Sequence, residues 1–289
     1  MFNPTLPAES VAAFPSRERG LVMALIFGGH LFKMQDLHYG YWPDDLAVEW
    51  VNFPQAQAAY TEFLVGAIPP SVKTILDVGC GAGNNALRLV EKGYLVDCVS
   101  PNGYLTEVAK QRLEGRAQVF ECRIEELETD RRYDLILFSE SLLFMPLEAA
   151  LDKALALLNP GGDILITDVF KLPAEGKSPI GGGHRLPVFR EVLARLHVEV
   201  IQDLDMTARI APTFDLIGRA SDEMIKPAYD LMRARLGLYH PWILKFLQWK
   251  FRDSIEKYER KHFSGRRTGE SFLKYKSYRL LLLRKNLNT

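Results

Sequence analysis

The sequence contains little cysteine and no long apolar run. Three cysteines among 289 residues, without the spacing of metal ligands, argue against a disulfide framework and for a reducing compartment. The longest apolar stretch, residues 21–32, is interrupted by two glycines and a histidine. It is shorter than the roughly 20 residues that a bilayer-spanning helix needs. No secretory signal pattern is visible, so we expect a cytoplasmic protein without a metal site.

The formal net charge is zero, because 36 Lys and Arg balance 36 Asp and Glu. These charged residues are unevenly distributed along the chain. Residues 226–285 contain sixteen Lys and Arg against five Asp and Glu, a net charge of +11. Such an excess is typical of a solvated helix face, and also of a surface that meets nucleic acid or a membrane. The length allows one enlarged α/β domain or two small ones.

Strand and helix patterns alternate from residue 72 to residue 205, which predicts βαβ units and a mostly parallel sheet. The alternation then stops, and residues 211–272 have helical character and are rich in aromatic and basic side chains. The run at residues 275–285 is again typical of a strand. The predicted strands are residues 73–78, 94–99, 117–122, 133–139, 163–169 and 198–205, and the predicted helices include residues 54–66, 84–92, 147–158 and 187–196.

The most informative stretch is residues 74–85, with the sequence TILDVGCGAGNN. An apolar β-branched run is followed by an acid, three glycines at alternate positions and the start of a helical pattern. The glycines let the backbone approach a ligand closely, and the helix start presents unpaired N–H groups. This order resembles the first motif of class I S-adenosylmethionine-dependent methyltransferases. It differs from the nucleotide fingerprint G-x-G-x-x-G and from the phosphate loop.

Two later stretches carry the same resemblance. Residues 158–168 (LNPGGDILITD) are similar to the family's fifth-strand signature, and residues 139–146 are similar to its fourth motif. The resemblance covers residues 38–206 and the terminal strand. It implies an α/β fold with a seven-stranded, mostly parallel, doubly wound sheet of order 3-2-1-4-5-7-6, in which strand 7 is antiparallel. The implied fold also includes an N-terminal helical lid and a helical insertion between strands 6 and 7.

This resemblance also implies a division of the chain into three parts. Residues 1–66 form an arm and an aromatic lid, residues 67–210 with 273–289 form the core that binds the methyl donor, and residues 211–272 form a helical insertion that binds the acceptor. In the core, the backbone at Gly79, Cys80 and Gly81 is expected to hold the methionine end of the donor, with Asp77 close by.

Further donor contacts follow from the same resemblance. Asn84 at the helix start and Ser139 at the end of strand four are expected to contribute. The family places an acid for the ribose after strand two, but Cys98 stands there and Asp97 comes one position early. Ser100, Pro101 or Asn102 is expected to contact the ribose instead. At the adenine position Arg123 replaces the family's acid, and Ile124 is expected to pack against the ring.

The cluster His38-Tyr39-Gly40-Tyr41-Trp42 resembles the lid segment of small-molecule methyltransferases. Tyr39 is then expected to contact the donor and Tyr41 to act in catalysis, while the rings exclude water. An oxygen or carbon acceptor needs a base, for which His38 or His184 is available. The alternative is that these rings only pack a helix onto the sheet and that both histidines are structural.

The insertion predicts the acceptor class. Its aromatic side chains are expected to form an apolar wall over the donor pocket, although ordinary helix packing explains them equally well; they are Tyr239, Trp242, Phe246, Trp249 and Phe251. We therefore predict a small hydrophobic acceptor such as a lipid, isoprenoid or polyketide. We do not expect DNA to be a partner. RNA methylation, cyclopropane formation and a non-catalytic donor-binding protein at a membrane surface remain alternatives. The acceptor atom and the oligomeric state stay open.

Overall fold

A computed structural model describes Val22 and residues 36–286. Most of the predicted N-terminal arm, and the apolar stretch at residues 21–32 except Val22, lie outside the described residues. The strands are β1 Thr74–Val78, β2 Leu95–Val99, β3 Gln118–Phe120, β4 Tyr133–Ser139, β5 Leu158–Lys171, β6 His184–Arg185, β7 Val198–Asp205 and β8 Lys276–Lys285. The helices are α1 Phe53–Gly66, α2 Asn84–Glu91, α3 Gly103–Leu113, α4 Leu147–Leu157, α5 Leu186–Arg195, α6 Thr207–Ile210, α7 Pro212–Ala220, α8 Lys226–Tyr239, α9 Pro241–Lys250, α10 Arg252–His262 and α11 Gly269–Tyr275.

The strands form one sheet of order β3-β2-β1-β4-β5-β8-β7. Neighbours from β3 to β5 are parallel, whereas β8 runs antiparallel to both β5 and β7. This is the predicted order, with β7 and β8 as the sixth and seventh predicted strands, so the predicted fold class is confirmed. The structure adds the two-residue strand β6, which pairs with the end of β5.

The boundaries of two strands differ from the prediction by more than one residue. Strand β5 begins at Leu158 rather than at residue 163, because Leu158 already pairs with Tyr133 of β4 before a register shift. The Asn-Pro-Gly-Gly segment therefore lies within the strand instead of ending a helix. Strand β3 is shorter than predicted and spans three residues.

Helices cover both faces of the sheet, as the alternation predicts. One buried cluster joins alternate strand residues to α1, α2 and α3, for example Ile75 to Leu64 and Leu89. The other joins the opposite strand faces to α4 and α5, for example Ile136 to Leu151. Burial on both faces explains why the central strands are almost continuously apolar.

The segment between β7 and β8 is helical throughout most of its length, as predicted. Its two ends pack onto the core, where the rings of Phe214 in α7 and Phe272 in α11 stack 4.3 Å apart. In contrast, α8 and α9 contain no buried residue. The three-part division of the chain stays a prediction. Within the described residues, no helix combines the length and the apolar character that crossing a bilayer requires.

Candidate functional site

The turn between β1 and α2 is shaped by glycines with positive φ. Gly79 and Gly81 have φ of 76° and 54°, in the left-handed region that side chains disfavour. A Cβ added at Gly79 would lie 2.5 Å from Cβ of Ser141, which follows β4. The Ser141 hydroxyl donates a 2.5 Å hydrogen bond to the Val78 carbonyl. The turn therefore lies against the β4 end with room for a glycine only.

Asp77 lies at the carboxyl end of β1 directly before this turn. Its side chain is buried, and its Oδ2 atom has no hydrogen-bond partner in the described part of the chain. Burial raises the pKa of this carboxyl to about 7. An unpartnered buried carboxyl oxygen is costly, so this position is suited to a ligand that brings a donor or a positive charge.

Cys80 and Cys98 lie beside Asp77. Cys98 is its register neighbour on β2, and both thiols are free and buried. A hydrogen bond with Cys80, followed by burial, raises the pKa of the Cys98 thiol. Both side chains are small and buried, so they contribute packing to the floor of the site.

A buried polar network joins the end of β4 to β8 and to the lid. The Glu140 carboxylate accepts from the backbone N–H of Tyr39 at 2.9 Å and from the hydroxyl of Tyr278 at 2.8 Å. Tyr278 also lies 3.0 Å from the hydroxyl of Tyr60 on α1. Burial raises the pKa of Glu140. It is also the largest of several causes that raise the pKa values of Tyr39, Tyr60 and Tyr278. Glu140 itself has φ of 53°, a strained value for a residue other than glycine.

The same network reaches α2, which follows the glycine turn, through Ser139. Its hydroxyl accepts from the side-chain amide of Asn85 on α2 at 3.2 Å and lies 3.1 Å from the Tyr60 hydroxyl. Tyr60 is also 2.6 Å from Thr167 on β5. Ser139 thus connects α2, which begins at Asn84, with Tyr60 and, through Tyr278, with Glu140.

Asp168 supplies a second buried carboxyl at this edge of the sheet. It accepts from the backbone N–H groups of Leu143 at 2.9 Å and Val169 at 2.7 Å. Burial raises its pKa to about 8 despite these bonds. His184 lies nearby, with Nε2 2.9 Å from the Leu142 carbonyl, to which it donates.

The lid residues are placed as follows. The Tyr39 ring lies 5.0 Å from Phe214 and 6.4 Å from Tyr278, at the network. The Tyr41 ring instead stacks on Phe63, with the ring centres 5.0 Å apart.

Both ring nitrogens of His38 have protein contacts. Nδ1 is 2.8 Å from the Tyr39 carbonyl, and Nε2 is 3.2 Å from the Thr61 hydroxyl and 3.6 Å from Asp36. The ring also stacks on Tyr60 at 4.2 Å. These contacts fit the structural alternative for His38.

At the position where the sequence predicts ribose contacts, Asp97 is engaged by residues outside the glycine turn. Its carboxylate pairs with Arg131 at 2.6 Å and accepts from the Tyr133 hydroxyl at 2.9 Å. Ser100 is buried, and its carbonyl accepts from the Thr106 hydroxyl. Asn102 caps α3 by accepting from the Leu105 N–H at 2.9 Å. Pro101 between them is exposed.

A carboxylate on this side comes from β3 instead. A Cβ added at Gly103, the first residue of α3, would lie 2.9 Å from Oε1 of the exposed Glu121. At the adenine position, Arg123 is exposed and Ile124 is buried in the core on the α4 side. The short helical turn at Ile124–Glu126 follows directly.

The predicted aromatic wall over the pocket is not observed. The side chains of Tyr239, Trp242, Phe246, Trp249 and Phe251 are exposed. The reason is that the less exposed face of α9 is already occupied by aliphatic residues, namely Ile243, Leu244 and Leu247.

Sequence reasoning missed Tyr60, Glu121, Glu140 and Tyr278. Glu121 and Glu140 each directly follow a parallel strand, the place where α/β folds bind ligands, and that rule could have found both. Tyr60 and Tyr278 carry no local signal, since one is an ordinary helix position and the other an ordinary strand position.

Comparison with known proteins agrees with this geometry. Residues 75–162 match a family described as a methyltransferase domain. The chain is 33% identical over 147 residues to the methyltransferase GfsG of Streptomyces halstedii, a match that covers 46% of this chain and 51% of that protein. It spans about half the length of the curated relatives it matches.

Two solved structures share the fold over nearly the whole chain. The [4+2]-cyclase SpnF has a TM-score of 0.67 at 20% identity, covering 99% of this chain and 98% of that one. A geranyl diphosphate C-methyltransferase of Streptomyces coelicolor, solved with S-adenosylhomocysteine, has a TM-score of 0.65 at 16% identity, covering 94% and 98%. Residues 75–162 are therefore similar to a methyltransferase domain, and the chain shares the fold of these two structures over nearly its whole length.

Proposed function

We propose that this protein transfers a methyl group from S-adenosylmethionine to a small, apolar metabolite of the lipid, isoprenoid or polyketide kind. One observation carries the proposal: the glycine turn and the unpartnered Asp77 carboxyl lie side by side at the carboxyl edge of the sheet. That pair fits the amino-acid end of the donor, which brings an ammonium and needs close backbone approach. The chain is similar to a 27-O-demethylrifamycin SV methyltransferase and to a geranyl diphosphate C-methyltransferase, and this likeness supports the acceptor class.

The donor would be held by residues at or just after the ends of four strands, β1 to β4. The backbone of Gly79, Cys80 and Gly81 would hold the methionine carboxylate and ammonium, with Asp77 facing the ammonium. Asn84 and Ser139 flank this end. We assign the ribose hydroxyls to Glu121 and the turn at Ser100 and Pro101, and the adenine to the segment at Arg123 and Ile124.

The bound donor supplies an electrophilic methyl group on a sulfonium. The chain's own contribution is to orient the acceptor in line with that methyl group and to keep water away. The rings of Tyr39, Tyr60 and Tyr278 surround the Glu140 carboxylate. We assign Glu140 the role of accepting the proton of an acceptor hydroxyl. His184 already donates Nε2 to a carbonyl, and the Tyr41 ring stacks on Phe63.

A second candidate function is cyclisation without methyl transfer, favoured by the likeness to SpnF over 99% of the chain. Incubation with labelled S-adenosylmethionine and extracts of small metabolites, followed by identification of labelled products, distinguishes the two. Methyl transfer gives a labelled product and S-adenosylhomocysteine, whereas cyclisation consumes no donor. Labelled RNA would instead identify the RNA alternative, and a cyclopropane product would show an added methylene.

Free, buried thiols support a cytoplasmic location as part of this proposal. We likewise propose residues 211–272 as the unit that contacts the acceptor, through its packed ends at Phe214 and Phe272.

The affinity for S-adenosylhomocysteine is expected to rise between pH 5 and pH 8. The ligand's ammonium favours ionised Asp77, whose pKa is about 7 in the free protein, so binding below pH 7 must release a proton. Calorimetric titration of the wild type and Asp77→Asn across this range is the measurement. The variant should bind more weakly above pH 7 and lack this part of the pH dependence; identical profiles would contradict the assignment.

The same carboxyl predicts a change in stability. Because its folded pKa is raised above the usual value near 4, the folded protein binds the proton more tightly than the unfolded chain does. The free energy of unfolding should therefore fall as pH rises from about 4 to about 7, by a few kcal/mol at most. Denaturant unfolding of ligand-free Asp77→Asn should show this decrease reduced.

Glu121→Gln is expected to weaken donor binding about tenfold, the typical loss for a charged hydrogen bond to a hydroxyl. Asp97→Asn is the matched control, since Asp97 is also an acid at this end of the sheet but faces Arg131 and Tyr133. It should leave donor affinity unchanged and lower only stability. The reverse pattern in calorimetric titrations would return the ribose to Asp97.

A further inference from the structure

Helix α9 exposes aromatic rings where a soluble helix normally exposes polar side chains. Trp242, Phe246 and Trp249 leave 71%, 48% and 77% of their surface in contact with solvent. Their spacing of four and three residues places them on one face of the helix. Together with Lys245 and Lys250, which are also exposed, they form what we call the α9 stripe.

The charge of this stripe has one sign. Helix α9 contains two lysines and no acid. The Lys250 ammonium lies 5.6 Å from the centre of the Phe246 ring, and the Arg235 guanidinium lies 5.7 Å from that of Tyr239 at the end of α8. Cations are thus held beside exposed rings, an arrangement that suits an anionic surface with an apolar layer beneath it.

Aliphatic side chains continue the apolar surface along α8. Leu231, Met232 and Leu238 are all at least two-thirds exposed. Bases of single-stranded RNA stack on rings but gain little from scattered aliphatic groups. Hydrocarbon accommodates both kinds of side chain, and tryptophan is favoured at the boundary between lipid and water.

We propose that the α9 stripe docks the protein on an anionic phospholipid membrane. The rings of Trp242, Phe246 and Trp249 enter the boundary between headgroups and acyl chains, and Lys245 and Lys250 meet the lipid phosphates. The contact lies outside the donor site, so it is independent of the proposed methyl transfer. It would bring the protein to a phase in which apolar metabolites dissolve.

Co-sedimentation of the full chain with vesicles tests this surface. The wild type should sediment with equimolar phosphatidylcholine and phosphatidylglycerol, but not with phosphatidylcholine alone, and salt should weaken the binding. Lys245→Glu/Lys250→Glu and Trp242→Ala/Trp249→Ala should each reduce partitioning by about tenfold or more. Arg190→Glu/Lys177→Glu, a matched reversal of two exposed charges outside the insertion, should leave it unchanged.

A second readout identifies the inserted side chains. Brominated phosphatidylcholine mixed with phosphatidylglycerol should quench tryptophan emission of the wild type. Trp242→Phe/Trp249→Phe should still sediment while losing most of the quenching. Unchanged titration with S-adenosylhomocysteine verifies that each variant is folded, and it keeps this test separate from that of the proposed function.

Three outcomes would overturn the proposal. One is equal or absent binding to the two vesicle types, and another is the same loss in the Arg190 and Lys177 control. The third is a wild-type dimer in sedimentation velocity that Trp242→Ala/Trp249→Ala converts to monomer, since the stripe would then be covered by a second copy.

Discussion

Replacing Gly79 by alanine is expected to lower the affinity for S-adenosylhomocysteine by about a hundredfold or more. The new Cβ would lie 2.5 Å from Cβ of Ser141, and φ of 76° already disfavours a side chain. The strained φ costs about 1–2 kcal/mol and overpacking about 1–3 kcal/mol. The turn relieves both by moving away from β4, which takes the backbone out of reach of the donor.

Gly93→Ala is the matched control for this change. Gly93 has φ of 94°, yet a Cβ there would meet nothing within 4 Å. An alanine at this position has the same unfavourable φ but no steric clash, and it lies after the end of α2. Donor affinity should therefore be unchanged, while the free energy of unfolding falls.

The double variant Gly79→Ala/Ser141→Gly isolates the clash, because it removes the Cβ that the alanine meets. Compared with Ser141→Gly alone in a double-mutant cycle, it should recover part of the lost affinity. Wild-type affinity in Gly79→Ala, or no coupling between the two positions, would show that the donor does not use this turn.

Replacing Glu140 by glutamine is expected to slow methyl transfer to a hydroxyl acceptor by about a hundredfold or more, the usual contribution of a general base. The amide keeps the size and can still accept from the Tyr39 N–H and the Tyr278 hydroxyl. It cannot take up a proton. Single-turnover transfer from labelled donor to the purified acceptor measures the rate, and calorimetry measures donor affinity, which should change less than about threefold.

The pH profile separates this role from a structural one. The wild-type rate should fall on the acidic side as Glu140, whose pKa is raised by burial, becomes protonated. The variant should lack that limb. Tyr278→Phe removes one donor to the same carboxylate and should shift the limb to higher pH without abolishing transfer. Equal losses of rate and donor affinity in Glu140→Gln would mean that Glu140 only supports the fold.

The glycine turn between β1 and α2 could be predicted from sequence because it is local. Strand, acid, glycines and helix start lie within residues 74–85, and each dictates its own backbone geometry. The ribose contacts stay a prediction, because the local sequence does not identify them. Side chains alternate along a strand, so Asp97 faces Arg131 while its neighbour Cys98 faces the glycine turn. The nearby carboxylate is that of Glu121, which directly follows another strand.

The polar network could not be predicted, because its partners are far apart in sequence. Tyr39 and Glu140 are separated by 101 positions, and Tyr60 and Tyr278 by 218. Only the strand order brings them together. The insertion shows a different limit. Helical periodicity in α9 identifies two faces but does not predict which one is less exposed, and in the structure it is the face that contains Ile243, Leu244 and Leu247.

Calorimetric titration of S-adenosylhomocysteine into the full chain, with the Gly79→Ala variant alongside, tests the central claim most directly. Binding of one equivalent to the wild type, lost in the variant while Gly93→Ala retains it, is the predicted result. A folded wild-type protein that gives no binding heat at any concentration, and that does not bind S-adenosylmethionine in equilibrium dialysis, would contradict the account.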